Sequence, residues 1–133
     1  MESLEVRRRT MQAVKSKDTA PELLVRSLSH RMGYRFRLHC KDLPGKPDLV
    51  FLGRRKAIFV HGCFWHGHDC ARGARVPKTN RDYWTKKIAR NRERDRAACA
   101  ALVHSGWTYL IVWECDLGNE KGLKAEIRTF LKT

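Results

Sequence analysis

The sequence predicts a mixed α/β domain, a central sheet with helices on its faces. Three observations carry this. Thr19-Ala20-Pro21-Glu22 reads as a helix start, three short apolar runs punctuated by turn residues follow it, and a long charged segment leads into a second, almost wholly apolar run, Trp107 to Trp113. Helix, three strands, helix, strand, helix is an order that covers a sheet on both sides.

The elements follow in order. Thr19 is the N-cap, Pro21 stands in the first turn and Glu22 at the capping-box position. Leu23, Leu24, Leu28 and Met32 give the helix one apolar face, and Gly33 a stop. Residues 34–38 alternate as a strand. Leu43-Pro44-Gly45-Lys46-Pro47 is a turn-rich approach to a second strand, 48–52, and Gly53-Arg54 a tight turn into a third, Lys56 to His61. After a loop, 71–78, Thr79 is placed to cap a helix from Arg81 to His104. Trp84, Ile88, Ala98 and Leu102 take its apolar side, Lys86, Lys87, Arg90, Arg92, Arg94 and Arg96 crowd the rest, and Gly106 ends it. The run Trp107 to Trp113 reads as a strand buried on both faces, and a last helix lies near Leu123 to Leu131.

The length, 133 residues, fits one domain, 19–133, behind a basic arm, 1–18, that carries Arg7, Arg8, Arg9, Lys15 and Lys17. The arm's Val6, Met11 and Val14 are too sparse for an amphipathic helix, and a solvated tail and a DNA-embracing arm fit it equally. Twenty-eight Lys and Arg against fourteen Asp and Glu leave a formal charge of +14. That excess calls for a polyanionic partner, and nucleic acid fits best, because phosphate neutralisation releases counterions. An anionic membrane fits less well, since no long basic amphipathic helix is present. No apolar run has transmembrane length, and MESLEVRRRT lacks the apolar segment of a secretory signal. A cytoplasmic, nucleoid-associated protein is expected. Five unevenly spaced cysteines then read as metal ligands and spare thiols, not as a disulfide framework.

The chemistry is concentrated in residues 61–70, HGCFWHGHDC. Thiolate and imidazole at that density select Zn²⁺. Cys63, His68 and Cys70 lie in one short loop, and a tetrahedral site needs a fourth ligand: Cys115, just past the last strand, is preferred and Cys40 is the rival. Cys99, mid-helix, reads as packed. Four protein ligands leave no open position, so the metal is expected to be structural. His61 and His66 remain for acid–base work or phosphate stabilisation, against a plain supporting role. Asp48 opens a strand behind Lys46-Pro47, and a carboxylate so placed can hold Mg²⁺ for phosphodiester hydrolysis. Phe64 and Trp65 cannot both point into a core, so at least one is expected to be exposed.

These residues carry a resemblance. Residues 57–66, AIFVHGCFWH, together with Leu43-Pro44-Gly45-Lys46-Pro47-Asp48, Asp18 to Glu22, Tyr83-Trp84, Lys87-Ile88, Asn91-Arg92-Glu93-Arg94-Asp95 and Val112-Trp113-Glu114-Cys115, resemble the very short patch repair (Vsr) mismatch endonucleases. Arg7 to Met11, Val76-Pro77 and Gly106-Trp107 extend the likeness to about residues 7–117. It implies a fold like the type II restriction endonucleases and a strand-specific nick 5′ to the thymine of T:G mismatches left by 5-methylcytosine deamination. It further implies Asp48 as the Mg²⁺ ligand, His61 and His66 as catalytic histidines, Glu22 as an acidic helper, and Cys63, His68, Cys70 and Cys115 as the structural Zn²⁺ set. Phe64 and Trp65 become a wedge beside the mismatch, with Met11 entering from the opposite groove, Trp84 supporting the wedge and Asn91 among the DNA contacts. Partners implied are duplex DNA with a T:G mismatch and other mismatch-repair proteins. A single nick needs one centre, so a monomer is expected.

The chain departs from the family pattern in three places. Val60 replaces a threonine, Gly67 and Asp69 interrupt a run of histidines, and the restriction-enzyme pattern of an acidic residue followed by a basic one on the next strand is missing. Two other functions fit the same residues: a zinc-containing DNA-binding module that does not cut, and a restriction or defence nuclease on the same fold.

Overall fold

The computed structural model describes residues 19–71, 73 and 77–133. The expected arm, with Met11 and its arginines, and Val76 lie outside the described residues. The order is α1 (Ala20–Arg31), β1 (Arg37–Leu38), β2 (Leu49–Phe51), β3 (Lys56–His61), α2 (Arg81–His104), β4 (Thr108–Trp113) and α3 (Glu120–Lys132). The strands form one mixed sheet in the order β1-β2-β3-β4. β1, β2 and β3 pair antiparallel, and β3 and β4 pair parallel through the α2 crossover.

Local signals account for most boundaries. Thr19 is extended at ψ 162°, and its hydroxyl accepts from the Glu22 N–H at 3.4 Å. The chain leaves α1 through Met32 and then Gly33 at φ +88°. At the far end of the molecule, Arg54 donates to the Leu131 carbonyl at 3.0 Å and Lys56 donates to the Phe130 carbonyl. Two cations, one from the β2–β3 connection and one at the start of β3, thus meet the negative end of α3.

Two apolar layers enclose the sheet. Val25 and Leu28 of α1 and Leu123, Ile127 and Leu131 of α3 pack with Leu49, Phe51, Ile58 and Val112. On the other face, Cys99 and Leu102 of α2 pack with Phe59, beside Leu43, Trp107, Tyr109 and Ile111. Cys99 is packed, as expected.

Four expectations are corrected. Leu23 is 49% exposed. The buried stripe runs Val25, Leu28, Met32, and Leu23 sits two residues before Val25, about 200° around the helix axis. The alternating run 34–38 contributes only Arg37 and Leu38 to the ladder, because Tyr34 and Phe36 are spent edge-on against the Phe51 ring at 6.4 and 5.8 Å. β4 is mostly half-buried, not buried throughout: helices lie on its faces, but it is the outer strand and has a partner on one side alone. α2 is entered through Asn80 at φ +56° with no side-chain cap, so Thr79 does not take that place.

Candidate active site and metal centre

Strand geometry gathers the site at one end of the sheet. β3 and β4 run parallel with His61 opposite Trp113, so Cys63 and Cys115 each lie two residues beyond a paired residue. β2 runs the other way and begins beside the end of β3, which brings Asp48 to the same end. The Asp48 carboxylate accepts the Val60 N–H at 2.6 Å. The Val60 side chain packs into the α1/α3 core instead, so this position reaches the site through its backbone.

The ligand atoms of Cys63, His68, Cys70 and Cys115 all lie within 4.8 Å of one another. The Cys115 Sγ is 3.5 Å from the His68 Nδ1. The loop is wound for this: the His68 N–H donates to the Cys63 carbonyl and the Cys70 N–H to the His68 carbonyl, both at 2.9 Å. Gly73 closes it, donating its N–H to the Cys70 Sγ at 3.4 Å. A Cβ on Gly73 would fall 1.8 Å from the His68 carbonyl oxygen, so the close approach requires glycine. The His68 ring stacks on Trp113, with centroids 4.0 Å apart. Without a cation, burial pushes the Cys63 thiol up to about 12 and raises the Cys115 thiol as well. A site that disfavours thiolates so strongly when empty of charge, with three cysteine sulfurs and one imidazole, fits a soft divalent metal. Cys40 is half-buried and stands outside this group.

Beside it, the His61 and His66 rings stack with centroids 3.7 Å apart and planes within 3°. The Nδ1 of His66 is 2.6 Å from an Asp95 carboxylate oxygen. A carboxylate only accepts, so Nδ1 carries a proton, and in the neutral ring Nε2 is then the acceptor. Burial, and then the neighbouring His66, pull the His61 imidazole down to about 3, so it is neutral at pH 7. Its buried Nδ1 has no hydrogen-bond partner among the described residues.

A third group joins Glu22, His39 and Asp48, again with ligand atoms within 4.8 Å of one another. Glu22 is 2% exposed. Its carboxylate accepts from Arg26 at 3.0 Å and lies 3.6 Å from the His39 Nε2, so it is turned into the site. Burial raises the Asp48 carboxyl to about 7, the Val60 N–H works against this, and the Glu22 charge adds to it. Two carboxylates crowded until one holds its proton are a donor set that a hard divalent cation would relieve.

Above the histidines, Phe64, Trp65 and Trp84 form an edge-on triangle with centroid separations of 5.4, 5.8 and 6.1 Å. Phe64 and Trp65 are both half-buried, where one exposed ring was expected. Trp84 is 1% exposed and forms the floor beneath the pair. Asn91 donates to the Trp65 carbonyl at 2.9 Å and accepts from Arg94, so its side chain braces the aromatic pair.

Sequence reasoning had given no role to Asp95, His39 or Arg26. Asp95 had one available signal, as one of two acids, with Glu93, set among Arg92, Arg94 and Arg96. His39 had none beyond its place at a strand end; its φ of +49° is visible only in the fold.

The site can be set beside known proteins. Residues 3–72 match the family described as DNA mismatch endonuclease Vsr. The chain is 55% identical over 129 residues to the type II nicking enzyme V.XorIIP of Xanthomonas oryzae pv. oryzae, covering 97% of this chain and 94% of that one. It is 43% identical over 123 residues to the DNA mismatch endonuclease Vsr of Escherichia coli, covering 92% and 78%. It is also 43% identical over 110 residues to the type II nicking enzyme V.NmeAIP of Neisseria meningitidis, covering 83% and 78%. With more than half its residues matched to the family and relatives this close along nearly its whole length, the chain belongs to the Vsr family of DNA mismatch endonucleases.

Proposed function

We propose that this protein is a Mg²⁺-dependent DNA endonuclease that nicks one strand 5′ to the thymine of a T:G mismatch. The observation that carries the reading is the meeting, at one sheet end, of Asp48 with the His61–His66–Asp95 group beneath an aromatic lip. The sheet is read as a type II restriction-endonuclease-like core.

Asp48 and Glu22 would hold Mg²⁺, which when bound acidifies water and steadies the leaving oxygen. His66, oriented by Asp95, presents Nε2 as the acceptor of the attacking water's proton. His61, neutral and with an Nδ1 that has no partner among the described residues, is placed to hydrogen-bond the phosphate or the leaving group. Cys63, His68, Cys70 and Cys115 would fill the coordination of a structural Zn²⁺. Phe64 and Trp65 would enter the stack beside the mismatch from one groove and Met11 from the other. A T:G wobble is stacked less well than a matched pair, so prying it open there costs less of the few kcal/mol that unstacking typically demands.

The relatives named as type II nicking enzymes favour a second reading of context, in which the flanking bases follow a partner methyltransferase of a restriction system. One assay tests both: end-labelled duplex pools with randomised flanks, carrying T:G, T:A or C:G at the centre, incubated with Mg²⁺. Nicking confined to the thymine strand of the T:G pool is expected, and the cut flanks report the context. Equal cutting of matched duplexes moves the protein to defence. Tight binding with intact strands makes it a binding module.

A further inference from the structure

The loop that carries the histidines and the helix α2 meet at one glycine, Gly67. Lys56, the basic residue of the strand after Asp48, is spent on the Phe130 carbonyl at the strand's far end. Gly67 is left-handed at φ +60°. A Cβ there would lie 2.7 Å from the Arg92 Cδ, 3.2 Å from its Cγ and 2.7 Å from the Ile88 Cγ2. The aliphatic stem of Arg92 therefore crosses the loop directly over Gly67, the residue after His66. Arg92 is also three residues, one helical turn, before Asp95, which holds the His66 ring.

The guanidinium at the end of that stem has no partner among the described residues. Arg94 donates to Asn91, Arg96 to Glu93 and Arg26 to Glu22, but no described residue hydrogen-bonds or ion-pairs with Arg92, whose side chain is exposed. The Gly67 contact places the Arg92 stem against the residue that follows His66.

We infer that Arg92 is a phosphate-binding residue of the nicking site, laid beside His66 by the absence of a side chain at Gly67. The inference rests on the nuclease reading for its catalytic part alone. A guanidinium fork matches two phosphate oxygens at once. Positioned there, it would meet negative charge as it develops on the phosphate, a task Lys56 cannot take from the far end of its strand.

The test compares Arg92→Met, which keeps the stem and removes the charge, with Arg92→Lys, which keeps the charge and removes the fork. Arg128→Met, on the exposed side of α3, is the control. Duplex affinity is measured against salt, and single-turnover nicking at saturating DNA. In Arg92→Met the salt slope should flatten by about 0.9, one phosphate contact, and nicking should slow at least tenfold, with Arg92→Lys between it and wild type. Arg128→Met should keep the wild-type nicking rate. Arg92→Met nicking like wild type at saturation overturns the placement, as does an unchanged salt slope. If the wild-type protein cuts no duplex, the nuclease reading fails by itself, and the slope still decides whether Arg92 meets a phosphate. Thermal melting confirms that the variants of this exposed residue fold.

Discussion

The stacked imidazoles of His61 and His66 are unequal partners: the Asp95 carboxylate sits 2.6 Å from His66 Nδ1, while His61 Nδ1 is buried with no partner among the described residues. The asymmetry assigns the roles. Asp95→Asn keeps the volume and removes the anion that fixes the His66 tautomer. Single-turnover nicking should fall by about a hundredfold, the scale of a lost acid–base contribution, with duplex affinity unchanged. Asp48→Ala and His61→Ala should abolish nicking and keep binding, and wild-type rates in any of the three would discard the site.

Asp48 predicts a pH dependence of stability. Its carboxyl is raised from an ordinary 3.8 to about 7, chiefly by burial. The folded chain therefore holds this proton more tightly than the unfolded chain. The stability it contributes is complete below about pH 4, is lost as pH rises through about 7, and is level above that. In chelator, Asp48→Asn should gain on wild type over that window. Urea unfolding at stepped pH measures the difference, and a flat or opposite trend rejects the raised carboxyl. Mg²⁺ should narrow the gap at pH 7 and above, because it stabilises the ionised form.

The Cys/His group predicts one tightly held metal per chain. Elemental analysis should find one Zn²⁺, and Cys115→Ala should lose it. The domain keeps its two apolar layers, so it should remain folded, with Tm lower by about 10 °C for a loss of about 2–3 kcal/mol at this size. Full metal content in Cys115→Ala would return Cys40 to consideration.

The aromatic triangle separates contact from support. Trp65→Ala should leave Tm near wild type and reduce the preference for mismatched over matched duplex. Trp84→Ala, at a position 1% exposed, should cost about 3–5 kcal/mol of stability by opening a cavity. Equal destabilisation by both would make Trp65 a packing residue.

The contrast between what the sequence disclosed and what it hid is physical. The bounds of β3 and α2 are legible to the residue because turn residues and charge periodicity flank them. Thr19 is legible because a cap is a local hydrogen bond. Leu23, Thr79, the run 34–38 and the burial of β4 were misjudged because each depends on a tertiary partner: where α1 is rolled, how the chain enters α2, which ring meets Phe51, and that β4 is an outer strand. In the site, Cys63, His68 and Cys70 announce themselves by density, and Cys115 by its place after a strand. Asp95 and His39 are ordinary residues until the fold sets them against His66 and Glu22.

The parallel register of β3 and β4 has a consequence for how such a chain can change. His61 pairs with Trp113, and the same two-residue overhang then delivers Cys63 and Cys115. Inserting or deleting one residue in either overhang would carry its ligand away from the other three. Substitution can therefore explore this end of the molecule, but length cannot. Lineages of this fold should diverge by insertion in their connections while the count of residues from His61 to Cys63 and from Trp113 to Cys115 stays frozen.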